Sequence, residues 1–567
     1  MVNKILHKTW LVWLLITGLV FILYAGTLKY DMLYNFDDDA YFADIRITEL
    51  NTANVKDYFS DYYLGMYQPL PVLSFAIVYK LFPGSMQAQR MVNLLFHCIN
   101  ILLVLLVVKK LSGNQYIAIF TALFFAIHPM QVESIAWISA RSNLMFSGFY
   151  LGAVLTFASI RSKPVWWYWV LVYLLFLLAL FSKVTAATLP GLLLLIHRYL
   201  GRKFNTIQFL PYLPLFLLSG VFIYIGIQAS SAFGHITDMG QVYTITERLI
   251  LFFHTLGVYL YKFLAPVNQS VLYLFPIKEN GILPVSYFVT AFLTIAATAS
   301  LIWVNLKMRN IEASKAILFG IAFFLITISI VMPLKWSRTI ILAERYTYLP
   351  YIGLSMALLM ILFHIFKGKS RLIQNFFVSL LVLFVIGFVT LTFLRNKVWE
   401  NPDTLFTEVI ENSPGKAESS MAYYNRGNEF FRLKNAEKAI SDYSAAIKIY
   451  PAYHEAFYNR GLVFYLSGEN NSAIDDFTST IAIKDDFTDA YINRGAAYRN
   501  IGMYDLALSD LDRAISLHPS ELAYLSRGVL YFSNLNNPVR ACNDWSEAAK
   551  LGSGQAKQLL DQYCAGE

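Results

Sequence analysis

Charge is scarce in this chain. Only 14% of its 567 residues are Asp, Glu, Lys or Arg, 57% are hydrophobic, and the mean hydropathy is +0.50. That poverty excludes a protein soluble along its whole length and points to a polytopic membrane protein with a soluble segment attached. Cysteine is nearly missing. Cys98, Cys542 and Cys564 make neither a disulfide framework nor a metal-ligand spacing, and they fix no redox compartment. No His/Cys cluster has metal spacing, so no metal site is expected and no cofactor is required. The carboxylates leave Mg²⁺ or Mn²⁺ as the one candidate cation. No small-residue cleavage site follows the first apolar run, so residues 10–28, behind Lys4 and Lys8, read as an uncleaved span. The net charge of +8 sits mainly in short loops, a pattern of membrane topology rather than nucleic-acid binding.

Apolar runs long enough to cross hydrocarbon fall at 10–28, 88–108, 115–135, 144–160, 165–182, 184–200, 209–228, 284–306, 316–334, 348–366 and 373–394. Loops rich in Lys and Arg belong inside. Starting with Lys4 and Lys8 inside, the even-numbered spans emerge at Lys109 and Lys110, at Arg161 and Lys163, at Arg198 and Arg202, at Lys307 and Arg309, and at Lys367 and Arg371. This holds together if 68–82 and 248–266 do not cross but lie at the outer interface as re-entrant or surface helices. The expectation is eleven spans, N-terminus cytoplasmic and C-terminal segment outside. The outer side then collects Asp37, Asp38 and Asp39; His128, Glu133 and Arg141; Lys183; and Arg338, Glu344, Arg345 and Tyr346. The positive-inside bias did not force that grouping of acids and bases.

Apolar character stops near Leu394, so two domains are expected, 1–398 in the membrane and 399–567 soluble. Asn425-Arg426-Gly427 recurs at Asn459-Arg460-Gly461, Asn493-Arg494-Gly495 and Ser526-Arg527-Gly528, a period of 34, 34 and 33 residues. With Ala439, Ala473 and Ala507 in step, the pattern resembles the tetratricopeptide repeat, a helix pair that buries its apolar face only against its neighbours. Four repeats over about 421–554 make an α-solenoid, preceded by a partial unit at 402–420. Its concave surface suits an extended peptide or partner helix; a bare spacer is the alternative.

A carboxylate beside fixed cations at a bilayer surface suits one chemistry. A base deprotonates an acceptor hydroxyl while Arg or Lys stabilises a departing lipid phosphate. Three adjacent aspartates beside a span are costly there unless they work. The bland alternatives stay open: loop solvation or helix capping for one or two of the aspartates, a Glu133–Arg141 brace, a turn histidine at His128, a snorkelling Lys183, an interfacial anchor at Arg345. Glu133, Trp137 and Arg141, at i, i+4 and i+8, would form one stripe on a helix.

Asp38-Asp39-Ala40-Tyr41-Phe42 resembles the acidic Asp-Glu-x-x-Phe motif in the first external loop of protein O-mannosyltransferases and other GT-C glycosyltransferases, with Asp in place of Glu. More of the chain resembles one branch, the transmembrane and tetratricopeptide-repeat-containing O-mannosyltransferases and their bacterial relatives. The matching pieces are His128-Pro129 with Glu133, Ala136-Trp137 and Arg141; Ser182-Lys183 with Leu189-Pro190; Glu344-Arg345-Tyr346-Thr347-Tyr348-Leu349-Pro350, where Glu replaces the family's usual Asp; and Trp399 with Leu405-Phe406. The resemblance implies an all-α membrane GT-C domain. It also implies inverting transfer of a sugar, mannose or another hexose, from a polyprenyl-phosphate donor to a Ser or Thr hydroxyl of an exported protein. Asp38 is carried over as the base, with Asp37 next and Asp39 third. Arg141, Lys183, Arg345 and Arg338 would hold the donor phosphate; Glu133, His128, Glu344 and Tyr346 would orient donor or acceptor. The acceptor peptide would lie in the repeat groove, the repeats in the periplasm, and the rest in a bacterial inner membrane. Two rivals are a membrane-anchored repeat scaffold for envelope proteins and a glycan ligase or polymerase using lipid-pyrophosphate donors. The second would be expected to carry a larger external loop late in the chain.

Overall fold

A computed structural model describes residues 9–160, 166–202, 206–234, 237–307, 311–334, 336–337, 340–366 and 368–564. The chain divides into two compact units, Met1–Leu405 and Phe406–Glu567. Both are helical, and among the described residues the one sheet is the short antiparallel pair Thr237–Asp238 and Trp336–Ser337.

In the first unit, helix occupies every one of the eleven apolar intervals. Six described helices are long and apolar enough to cross a membrane: Thr9–Lys29, Met86–Ser112, Leu210–Ala232, Val285–Leu306, Ala313–Val331 and Arg371–Val398. A seventh candidate, Gln115–Ile127 with Pro129–Ala136, is bent by 59°. The bend has a local cause. Pro129 cannot donate to the turn before it and drives His128 into extended backbone, at ψ 128°. The helix Ile245–Leu264 carries Glu247, Arg248 and Lys262 and is not among the six. Elsewhere close packing depends on missing side chains. A Cβ on Gly320 would lie 2.4 Å from the Gly353 carbonyl oxygen, and one on Gly353 would lie 2.5 Å from that of Gly320. Ile311–Ile328 and Tyr351–Phe366 therefore cross backbone against backbone, as small residues permit in membranes.

The feature that positions the site is a buried polar segment. Every residue from Phe124 to Ser147 is buried, although the stretch holds His128, Gln131, Glu133, Arg141 and Asn143. Regular helix stops at Ala136, Trp137 is extended at ψ 121°, a 3₁₀ turn covers Ile138–Ala140, and a new helix begins at Arg141. The expected Glu133–Trp137–Arg141 stripe therefore does not form, because the helix that would carry it is broken at Trp137.

The second unit is built of helix pairs, from Ala417–Arg432 with Ala436–Ile449 to Glu521–Ser533 with Pro538–Lys550, closed by Gly554–Tyr563. The repeated Asn-Arg-Gly now has a cause at each position. Arg426, Arg460, Arg494 and Arg527 fork onto Asp442, Asp476, Asp510 and Asp544 of their own repeats at 2.7–2.9 Å. Their remaining Nη1 donates to Thr407, Ser444, Thr478 or Asp512, one helix earlier. The amides of Asn459 and Asn493 donate to the Tyr424 and Tyr458 hydroxyls of the preceding repeat. A Cβ on Gly427, Gly461 or Gly528 would fall within 3.0 Å of Tyr443, Phe477 or Trp545. These residues hold the array together.

The cysteines require a correction. Cys542 and Cys564 form a disulfide, with Cα atoms 5.9 Å apart, that ties the closing helix to the last repeat; Cys98 is free and buried. Their separation of 22 residues has no motif value, and the pairing exists only because two helices fold back on each other.

Candidate active site

The loop after the first helix carries two non-glycine residues in left-handed backbone, Asn35 at φ 59° and Asp37 at φ 70°. Such strain persists only where the surroundings hold it, and it gathers at functional sites. Here both flanks are fixed. The Asp37 carbonyl accepts from the Tyr41 amide at 3.2 Å, and Asp38 is locked. One oxygen of Asp38 accepts from the Ser139 amide at 3.1 Å and its hydroxyl at 2.5 Å; the other accepts from the Leu33 amide at 3.4 Å. Asp39 accepts from the Asn35 amide at 3.2 Å. Asp38 is wholly buried and fastens the loop to the 138–140 turn, while Asp37 is exposed and lines a cavity of about 230 Å³.

Arg345, Lys183 and Tyr346 line the same cavity, with Trp137, Gln68, Asn143 and Thr185. Arg345 sits in the 3₁₀ turn Glu344–Thr347. Its amide donates to one Glu133 oxygen at 2.7 Å and its guanidinium to the other, so both carboxylate oxygens are used. The guanidinium carbon lies 5.3 Å from the Trp137 ring centre and 5.2 Å from that of Tyr346. Burial alone would lower its affinity for a proton, but Glu133, Tyr346 and Asp37 keep it above its ordinary value. Lys183 ends the helix Trp166–Ser182, donates to the Asn143 amide oxygen and lies 5.7 Å from the Tyr346 ring. Asn143 Nδ2 and Thr185 Oγ1 are buried without a hydrogen-bond partner among the described residues. One carboxylate, two cations and two unspent polar groups therefore line one cavity, an arrangement able to hold a phosphate beside a base.

Several candidate residues lie elsewhere. Arg141 is buried with its donors on Asn93, Ser74 and Gln89 and its guanidinium over Phe75. Glu344 is buried against Arg395, Ser270, Tyr273 and Gln269 at 3.1–3.3 Å. His128 spends both ring nitrogens, Nδ1 accepting from the Met130 amide at 3.2 Å and Nε2 donating to the Phe263 carbonyl at 3.1 Å. Arg338 lies outside the described residues. No group of three or more His, Cys, Asp or Glu side chains is placed to hold a metal ion among the described residues. The sequence reading passed over Gln68, Asn143 and Thr185. Asn143 carried a signal, because Arg141-Ser142-Asn143 is a polar run at the head of an apolar helix.

Burial raises the Asp38 carboxyl from 3.8 to about 6, while the Ser139 hydroxyl and amide, the Arg90 charge and the Leu33 amide pull the other way. An acid whose folded value exceeds its unfolded one binds more protons when folded. Its stabilisation is complete below about pH 4 and is lost as pH rises through about 6. Unfolding free energy should therefore fall by roughly 3 kcal/mol from this group between about pH 4 and pH 7, and Asp38→Asn should flatten that slope in thermal unfolding of the detergent-solubilised chain.

The comparisons with known proteins agree with this architecture. Tetratricopeptide models match residues 427–468 and 488–521. The human protein O-mannosyl-transferase TMTC3 is 23% identical over 441 residues, which cover 68% of this chain and 45% of the relative. Human TMTC1 is 22% identical over 441 residues, 69% and 48% of the two chains. Tmtc1 of Drosophila melanogaster is 29% identical over 180 residues, 30% and 21%. The chain spans about half the length, or less, of these curated relatives. The chain, a membrane-helical unit followed by a tetratricopeptide array, is thus similar to the TMTC protein O-mannosyl-transferases over about two thirds of its own length.

Proposed function

We propose that the first unit is an inverting membrane glycosyltransferase, which moves a sugar from a polyprenyl-phosphate carrier to a Ser or Thr hydroxyl of an exported protein. The sugar is taken as mannose from the names of the relatives. The observation that carries this reading is the convergence of Asp37, Lys183 and Arg345 on one cavity. Asp37, rather than the buried Asp38, takes the proton of the acceptor hydroxyl. The hydroxyl oxygen attacks the anomeric carbon, and the bond from that carbon to the phosphate oxygen breaks on the opposite face. The leaving oxygen keeps the electron pair, and Lys183 and Arg345 offset its charge. Glu133 fixes Arg345; Trp137 and Tyr346 confine its guanidinium.

In this reading the acceptor is collected by the repeats. The Cys542–Cys564 disulfide suits an oxidising compartment, which supports repeats outside the cytoplasm. With the basic loops inside, a bacterial inner membrane with periplasmic repeats fits. The test is transfer of labelled mannose from a polyprenyl phosphate to a Ser/Thr peptide by the purified full chain. Lys183→Met should lower the rate about a hundredfold, the scale of losing one preorganised donor to a developing oxyanion. An unchanged rate with this variant would remove Lys183 from the donor site, and no transfer by the unmodified chain would remove the activity.

A further inference from the structure

A second cavity, of about 640 Å³, lies against the helices Leu189–Tyr199, Ile245–Leu264, Val285–Leu306, Ile311–Ile328 and Tyr351–Phe366. It falls in the size range of apolar ligand sites, on the order of 300–1,000 Å³. Val285–Leu306 and Ile311–Ile328 are fastened at one end, where the Ser314 hydroxyl donates to the Asn305 side chain. Beyond that the cavity lies between them. Its walls are almost wholly apolar, and the Thr298 hydroxyl is spent on the Thr294 carbonyl at 2.8 Å. Leu301, Ile302, Leu318 and Leu325 are 39–48% exposed, so the space opens sideways, toward hydrocarbon in a membrane. Among the described residues that line it, two are charged, Arg198 and Lys315; both are cations, both are exposed, and none is acidic.

The charged end is remote from the first cavity. Lys315 lies in the second turn of Ile311–Ile328, whose far end leads to Ile330, which lines the first cavity, roughly 20 Å away along the axis. Arg198 ends the helix that starts just after Lys183 and Thr185. A lipid whose head reaches Arg198 and Lys315 therefore enters from the membrane face opposite the first cavity.

We propose that this cavity is a binding site for one lipid with an anionic phosphate headgroup. The hydrocarbon chain lies between Val285–Leu306 and Ile311–Ile328, and the head rests on Arg198 and Lys315. The occupant is separate from any sugar donor in the first cavity. Because Ile330 and Val331 wall that cavity, such a lipid wedges the helix behind the site in place.

Native mass spectrometry of the purified full chain, delipidated and then titrated with phosphatidylglycerol or phosphatidylcholine, reads binding without relying on transfer. One phosphatidylglycerol should be retained per chain in preference to phosphatidylcholine. Arg198→Ala and Lys315→Ala should each weaken phosphatidylglycerol about fivefold, the scale of one basic residue against an anionic lipid, and leave phosphatidylcholine unchanged. Ala322→Trp, which fills the cavity, should abolish stoichiometric retention. Equal retention of the two lipids, full phosphatidylglycerol binding by the double alanine variant, or retention by a folded Ala322→Trp chain would each overturn the proposal.

Discussion

Asp37→Asn should reduce the rate of sugar transfer by about 10²- to 10⁴-fold, the range expected when a positioned general base is removed. Asparagine keeps the shape and tolerates left-handed backbone, so the loop at φ 70° should survive. Donor binding should be unchanged or tighter, because a negative charge beside the phosphate is lost. The loss should therefore fall on kcat rather than on KM. Asp39→Asn keeps an oxygen able to accept from the Asn35 amide and should stay within a few-fold of the unmodified rate. Asp38→Asn is the discriminating control. It disturbs the Ser139 and Leu33 bonds, so its effect should appear in stability and its pH dependence. A double Asp37→Asn/Asp38→Asn chain that still transfers sugar would end the reading of Asp37 or Asp38 as the base. If Asp38→Asn alone lost kcat in a folded chain and Asp37→Asn did not, the base would be Asp38.

Which aspartate faces the cavity could not be read from three in a row. The answer lies in one left-handed residue and in a serine about a hundred positions away, and neither leaves a local pattern. The fold was far more legible. Apolar runs locate helices because hydrocarbon length sets them, and a period of 34 residues locates stacked helix pairs because each face is buried by its neighbour. Lys183, Arg345 and Tyr346 were visible as polar residues at the ends of apolar runs, where function concentrates. Arg141 had the same signature and a different fate, because Asn93, Ser74 and Gln89 reach it from other helices. The broken stripe at Trp137 and the Cys542–Cys564 bond share that cause. Both depend on how segments fold back on one another, which spacing does not encode.

The second large effect concerns an interaction the sequence hid entirely. Arg395→Met should destabilise the first unit by about 3–5 kcal/mol, the usual result of removing one member of a buried ion pair. Arg395 and Glu344 approach to 3.1 Å with side chains 2% and 0% exposed, so water cannot take over the missing role. Glu344 precedes Arg345 in one 3₁₀ turn, and the two neighbours bind in opposite senses, Glu344 to Arg395 and Arg345 to Glu133. The turn that brings Arg345 and Tyr346 to the cavity is thus clamped on both sides. Loosening the Arg395 side should lower activity as well as stability in the part of the population that stays folded. Adding Glu344→Gln removes the stranded charge and should restore most of the stability. The coupling in a double-mutant cycle of melting in detergent would then be well above the roughly 0.5 kcal/mol seen for independent sites. Additive losses would mean that the pair holds nothing in place and that the turn is fixed by Glu133 alone.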